Sequence, residues 1–206
     1  LDHTPLTVRG WREECGASAS GGANLLQYFL AGDFSRERGV YVNNLSRRVS
    51  VRSNLNAEFT PVLTGAARLG YYSNRLELPQ NDNNDQGPLG NGLLGRDPIT
   101  SPNGGYLSFP KEAYNQFLTT QSVDRVTGGL EARWDAASWL RFNALTGIDF
   151  ASRGDQAITP PGVVPEPDRR NIGNATSNPY TLYTYNTNLD GTASYDLAGL
   201  QAQTAL

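Results

Sequence analysis

Methionine is absent from the chain, and cysteine and histidine occur once each, as Cys15 and His3, among 206 residues. No disulfide framework and no Cys/His zinc site can therefore be assembled within one chain. Long apolar runs are missing too. Tyr28-Phe29-Leu30-Ala31 is typical of the longest, far below the roughly 20 residues that a spanning helix needs. That excludes a helical membrane protein but leaves a membrane barrel open, because barrel strands alternate and keep the average hydropathy low. Charge is sparse and nearly balanced, 17 Lys+Arg against 20 Asp+Glu, so no basic nucleic-acid surface is expected. Glycine and proline are plentiful, at 22 and 12, and break the chain too often for long amphipathic helices. Residues 1–30 hold no basic segment followed by an apolar core, and the first residue is Leu1. The expectation is a mature chain or a piece of a longer one.

What is present is a period of two. Across 48–59, Val49, Val51, Leu55, Ala57 and Phe59 alternate with Arg48, Ser50, Arg52, Asn54, Asn56 and Glu58, the pattern of a strand with one apolar and one polar face. After Thr60-Pro61, Leu63, Gly65, Ala67, Leu69 and Tyr71 continue the apolar face of a hairpin. The same alternation returns at 122–134 and 139–151, joined by Asp135-Ala136-Ala137-Ser138, and more weakly at 180–195. Two further strands, 15–21 and 27–36, flank Gly22-Ala23-Asn24-Leu25. The predicted fold is all-β: an antiparallel up-and-down meander of about eight long strands, at 15–21, 27–36, 45–59, 62–75, 122–134, 139–151, 180–195 and 200–206, with long loops at 76–121 and 152–179. Strands of roughly 8–15 residues exceed the usual 5–6 of soluble sheets and suit a tilted membrane barrel.

Short links at 22–25, 60–61, 135–138 and 196–199 alternate with longer ones at 37–44, 76–121 and 152–179. Outer-membrane barrels show this alternation of short periplasmic turns and long extracellular loops. Aromatic residues fall into two groups: Phe59, Trp134, Trp139 and Tyr195 near the short turns, and Tyr71, Phe150 and Tyr183 toward the long loops. Two aromatic girdles are what the two interfaces of a bilayer favour. The opposite, polar face carries Arg48, Arg52, Asn54, Asn56, Glu58, Arg68, Glu131, Arg133, Arg141, Asn143 and Asp149. These residues would line a barrel lumen, although the same set fits the solvated face of a soluble sheet.

The ordered series of segments resembles a family. Ser18-Ala19-Ser20-Gly21-Gly22, then Tyr28-Phe29-Leu30-Ala31-Gly32-Asp33-Phe34 and Arg38-Gly39-Val40, resemble a barrel hairpin of the SusC/RagA-like TonB-dependent outer-membrane transporters. Arg47-Arg48-Val49-Ser50-Val51-Arg52-Ser53-Asn54-Leu55 is similar to the family's next strand, Leu78-Pro79-Gln80-Asn81-Asp82-Asn83-Asn84 to a loop segment, and Asp124-Arg125-Val126-Thr127-Gly128 through Trp139-Leu140 to a later hairpin. The resemblance implies a barrel of about 22 strands around a plug domain, import of oligosaccharides, peptides or other large solutes, and TonB and a surface lipoprotein as partners beside outer-membrane lipid. No plug domain and no TonB-contacting segment is recognised in this sequence, and Gln203-Thr204-Ala205-Leu206 lacks a terminal aromatic residue. The expectation is an interior fragment of a bacterial outer-membrane barrel, partnered by the rest of that barrel and its plug. The alternatives are an extracellular structural or adhesive β protein assembling through strand pairing between chains, and a self-contained eight-stranded barrel.

No catalytic residue, cofactor site or enzymatic activity is expected. Gly90-Asn91-Gly92-Leu93-Leu94-Gly95 has the spacing of a dinucleotide fingerprint, but an Asn/Asp-rich loop precedes it where a strand is required, so it reads as a flexible loop. Gly16-Ala17-Ser18-Ala19-Ser20 fails the nucleophile-elbow pattern at its last position. Asp82, Asn84 and Asp85 offer oxygen ligands for Ca²⁺, yet Leu93 stands where a bidentate Glu would close an EF-hand, which favours an Asx-rich turn. Among loop residues, Asn81, Asp82, Asn83, Asn84, Tyr106 and Tyr114 are the ligand-binding candidates. Tyr106, Phe109, Tyr114, Phe117 and Tyr180 would stack on sugar rings if exposed, or pack the loops on themselves if not.

Overall fold

The computed structural model describes residues 7–81, 83–197 and 200–205. Eight strands follow one another as β1 (Trp11–Ala23), β2 (Leu26–Arg38), β3 (Leu45–Thr60), β4 (Leu63–Leu78), β5 (Leu118–Ala137), β6 (Leu140–Thr159), β7 (Asn174–Leu197) and β8 (Leu200–Ala205). Each pairs antiparallel with the next in one sheet of order β1 to β8, the predicted meander. Among the described residues β1 and β8 do not pair, so the sheet is open, unlike a self-contained eight-stranded barrel.

The short links are tighter than the sequence pattern indicates. Asn24-Leu25, rather than 22–25, joins β1 to β2, because Ala23 still pairs with Leu26. Pro61-Val62 and Ser138-Trp139 close the next two hairpins, with register shifts at Glu58/Thr60 and Asp135/Ala137. Of the fourth predicted link, 196–199, positions 196 and 197 belong to β7 and the other two lie outside the described residues. The strands also climb further toward the long loops than the alternation shows. β5 starts at Leu118 and β6 runs to Thr159, 20 residues each. The added segments, such as Ser152-Arg153-Gly154-Asp155-Gln156, are polar on both faces, which removes the periodic signal while leaving the backbone ladder intact.

The sheet is a single layer with both faces open. Its accessible surface is 13856 Å², against about 9,400 Å² for a compact monomer of 22.4 kDa. Among the described residues the only buried hydrophobic cluster lies in the long loops: Tyr106, Phe109, Ala113, Tyr114, Phe117 and Val164. Two short helices, α1 (Pro88–Leu93) and α2 (Lys111–Tyr114), and a 3₁₀ turn at Arg169–Ile172 belong to this loop layer. α1 replaces the flexible loop expected at Gly90–Gly95. Pro88 at its start has a helix-compatible φ, and buried Asn91 donates to the Gly87 carbonyl at 2.7 Å. Among the described residues no helix is long and apolar enough to cross a membrane.

Candidate functional site

Register decides which side chains share a face, because directly opposed residues project to the same side. Val51, Tyr71, Val126, Phe150 and Tyr183 are mutually opposed across five strands and form one transverse row. Four further rows run parallel to it toward the short turns, ending at Leu63, Trp134 and Phe142. Between the level of that row and the short turns this face carries no charge on seven strands, over Cys15–Ala23, Leu26–Phe34, Val49–Phe59, Leu63–Tyr71, Val126–Trp134, Phe142–Phe150 and Tyr183–Ala193, and on β4, β6 and β7 the uncharged run continues toward the loops to Ser73, Ile158 and Ala175. From the row to the turns this depth is 9 or 11 residues on each strand. Across β1–β7 the band measures about 29 Å by about 27 Å, roughly 800 Å², more than the largest apolar patch of a typical monomer, about 300–600 Å².

The aromatic residues frame this band. Trp134 stacks on Phe142 at 5.7 Å and Phe150 packs on Tyr183 at 4.9 Å. Phe59 lies over Gly65, where a Cβ would come within 2.9 Å of its ring, so the glycine makes room for it. Phe59, Trp134, Trp139, Tyr195 and Tyr71 are exposed, and Phe150 is half-buried. Tyr71 turns its hydroxyl to Asp124 at 3.1 Å, past the edge of the band. The row of Tyr71, Phe150 and Tyr183 sits in mid-strand, with 7 residues of β4 (72–78) and 9 of β6 (151–159) above it. Cys15 opposes Phe34 on the apolar face and is exposed.

The opposite face gathers the predicted polar set. Arg48, Arg52, Asn54, Asn56, Glu58, Arg68, Glu131, Arg133, Arg141, Asn143 and Asp149 all alternate with the apolar positions and share this side. Arg125 pairs with Asp149, Arg68 lies 3.6 Å from Glu131, and Arg48 lies 3.8 Å from Glu14. Near the short turns Asp135 receives both Arg133 (3.2 Å) and Arg141 (2.5 Å), and Asn143 donates to Asp190 at 2.8 Å. Exposed pairs of this kind contribute about 0–1 kcal/mol each, so they dress the face while the backbone ladder holds the sheet. Gln27, Asn56, Glu58, Arg68, Glu131 and Arg133 line a recess of about 290 Å³ at the short-turn end.

The loops form a cap with its own core. Asn43, between β2 and β3, donates to the carbonyls of Tyr114 (3.3 Å) and Phe117 (3.1 Å), tying the first long loop to the second. Arg170 reaches across from the third: it pairs with Asp85 at 2.7 Å, grips Asp168, and lies 5.0 Å from the Phe109 ring centre. The Arg170 guanidinium, helped by its backbone N–H, holds the Asp168 carboxyl down at about 2. Burial raises the Tyr106 and Tyr114 hydroxyls above their usual range.

The cap decides between the two roles open to the loop aromatics. Tyr106 and Tyr114 are only 2% and 3% exposed, and Phe109 and Phe117 are buried beside them, so these rings pack the loops against themselves. Tyr180, the first residue of the predicted strand 180–195, lies within β7, exposed and opposite Arg153 on the polar face. Asn81, Asn83 and Asn84 are exposed, but Asn81 Oδ1 accepts the Asn83 N–H and Asn84 Oδ1 accepts the Gln86 N–H, which makes Asx turns. Asp85 is committed to Arg170, and Asp82 lies outside the described residues. Among the described residues no group of three His, Cys, Asp or Glu side chains could hold a metal ion. Sequence reasoning missed Asn43, Asp168 and Arg170, whose roles depend on which loops meet.

No protein-family model matches the chain, and no curated protein matches it. Solved structures do share its fold. The RagAB peptide importer in its closed-closed state aligns with a TM-score of 0.69 at 15% identity over 89% of this chain. The RagAB peptide transporter aligns with a TM-score of 0.71 at 13% identity over 90%. This chain spans 22% of the length of each of those chains, about a fifth. At such identities the likeness is one of fold: the chain is an all-β antiparallel meander similar to a barrel segment of RagAB.

Proposed function

We propose that this chain is a segment of an outer-membrane β-barrel belonging to a nutrient importer of the SusC/RagA type. The observation that carries the reading is one broad, exposed face that holds no charge for at least 9 residues on each of seven successive strands. A tilted strand needs about 9–11 residues to cross the hydrocarbon, and a sheet in water has no reason to leave so broad an exposed face without charge. In this reading the apolar face meets lipid, with Phe59, Trp134, Trp139 and Tyr195 in one girdle and Tyr71, Phe150 and Tyr183 in the other. Arg48, Arg52, Asn54, Asn56, Arg68, Arg133, Arg141 and Asp149 face the lumen, and the recess beside Arg68 and Glu131 is where a plug would rest. The loop cap stands outside the cell, carried clear of the bilayer by the polar strand extensions.

By resemblance to that family, a plug coupled to TonB gates the barrel and a surface lipoprotein joins it. The peptide cargo of the RagAB structures favours peptides or similarly large solutes here. The role is transport rather than catalysis. The test is the intact mass of the native polypeptide in detergent-extracted outer membranes and, in parallel, in the soluble extracellular fraction. The reading expects these peptides in a membrane species several times heavier than 22.4 kDa. A detergent-independent species of 22.4 kDa outside the membrane would overturn it in favour of a secreted β protein pairing through the open edges of β1 and β8.

A further inference from the structure

Arg36, Arg47 and Arg75 are directly opposed on β2, β3 and β4, on the apolar face. They stand just beyond the uncharged stretches, with Phe34 and Val49 two residues below Arg36 and Arg47. Arg38 follows on the same face. Like charges placed directly opposite one another destabilise a sheet, so each of these side chains calls for a counter-charge. Arg75 has one: its guanidinium lies 2.7 Å from Asp124 and also donates to Ser73 Oγ and the Asn74 and Val123 carbonyls. Arg36, Arg38 and Arg47 make no ion pair among the described residues. Glu13 opposes Arg36 and Glu77 opposes Leu45 on this face, yet neither carboxylate closes on the three arginines. Arg36 lies 5.2 Å from the Trp11 ring centre, and its Nε is buried without a hydrogen-bond partner. The group has given up water on one edge without gaining an anion.

We propose that Arg36, Arg38 and Arg47 form a docking site for the phosphate of a membrane-lipid headgroup, an inference that rests on the barrel reading above. The apolar stretches below them receive the acyl chains, which brings the headgroup level with the arginines on the long-loop side. Guanidinium groups match phosphate oxygens in bidentate geometry, and Trp11 beside Arg36 is the kind of amphipathic ring that settles at this depth. A phosphate ion in solution would have no use for the apolar surface beneath.

Native mass spectrometry of the detergent-purified native polypeptide, titrated with phosphatidylglycerol, tests the site. Arg36→Gln with Arg47→Gln should lower lipid retention by about 30-fold and Arg47→Gln alone by about fivefold, taking about fivefold for each basic residue beside an anionic surface. Arg96→Gln with Arg169→Gln, which removes the same charge from the loops, should leave retention unchanged. Equal retention by all variants overturns the site. So does binding of inorganic phosphate at these arginines with lipid retention unaltered. Heat-modifiable migration of the wild type on gels reads the barrel separately: its absence overturns both readings, and its presence with equal retention overturns only the lipid site.

Discussion

Arginine in place of Leu130 is expected to destabilise the native polypeptide in a bilayer by about 2–4 kcal/mol, the cost of a charge on the lipid face at the bilayer midplane. Leu130 is the middle residue of the Val126–Trp134 stretch, opposite Ala67 and Thr146, and 59% exposed. That exposure gives the substitution its power. On the wet face of a soluble sheet the same change falls within about ±0.5 kcal/mol. Urea unfolding of the vesicle-reconstituted protein measures the difference. Glu131→Gln, one residue along, is the comparison: it breaks only the exposed contact with Arg68 at 3.6 Å and should cost about 0–1 kcal/mol. Equal small effects at 130 and 131 would assign both faces to water.

Phe117→Ala is expected to cost the loop cap about 3–5 kcal/mol. Phe117 is 1% exposed and meets Phe109 and Tyr114 edge-on, each at 6.0 Å. Asn43 also bonds to its carbonyl. The cost should be local, because the cap has its own core and the sheet is held by its backbone ladder. Protease cleavage within residues 79–117 should then rise more than about 100-fold, following the population of the opened loop, while the urea midpoint of the strands stays in place. A matching loss in both would mean that the cap and the sheet fold as one unit.

The strands and their two faces were legible in the sequence wherever one face was apolar and the other polar, as from Val49 to Phe59 and from Leu63 to Tyr71. Period two fails once both faces are polar, which is why the extensions at 118–121 and 152–159 read as loop although their pairing is unbroken. Helices as short as Pro88–Leu93 and Lys111–Tyr114 complete too few turns to show a helical period. The loop tyrosines were visible as candidates, but only tertiary packing could tell a displayed ring from a buried one. Arg36 and Arg47 fall at the same end of the predicted strands 27–36 and 45–59, but their direct opposition depends on the β2–β3 register, which the period-two pattern leaves open.

The measurement that tests the central claim most directly is a nitroxide scan along Leu63–Tyr71 of β4 in the bilayer-reconstituted protein, in a Cys15→Ser background. Collision rates with dissolved oxygen report lipid, and those with a water-soluble nickel chelate report water. The barrel account predicts a period-two oscillation, with oxygen access high at Ala67, Leu69 and Tyr71 and low at Ala66, Arg68 and Gly70. A flat profile, or higher nickel access at Leu69 than at Arg68, would contradict it.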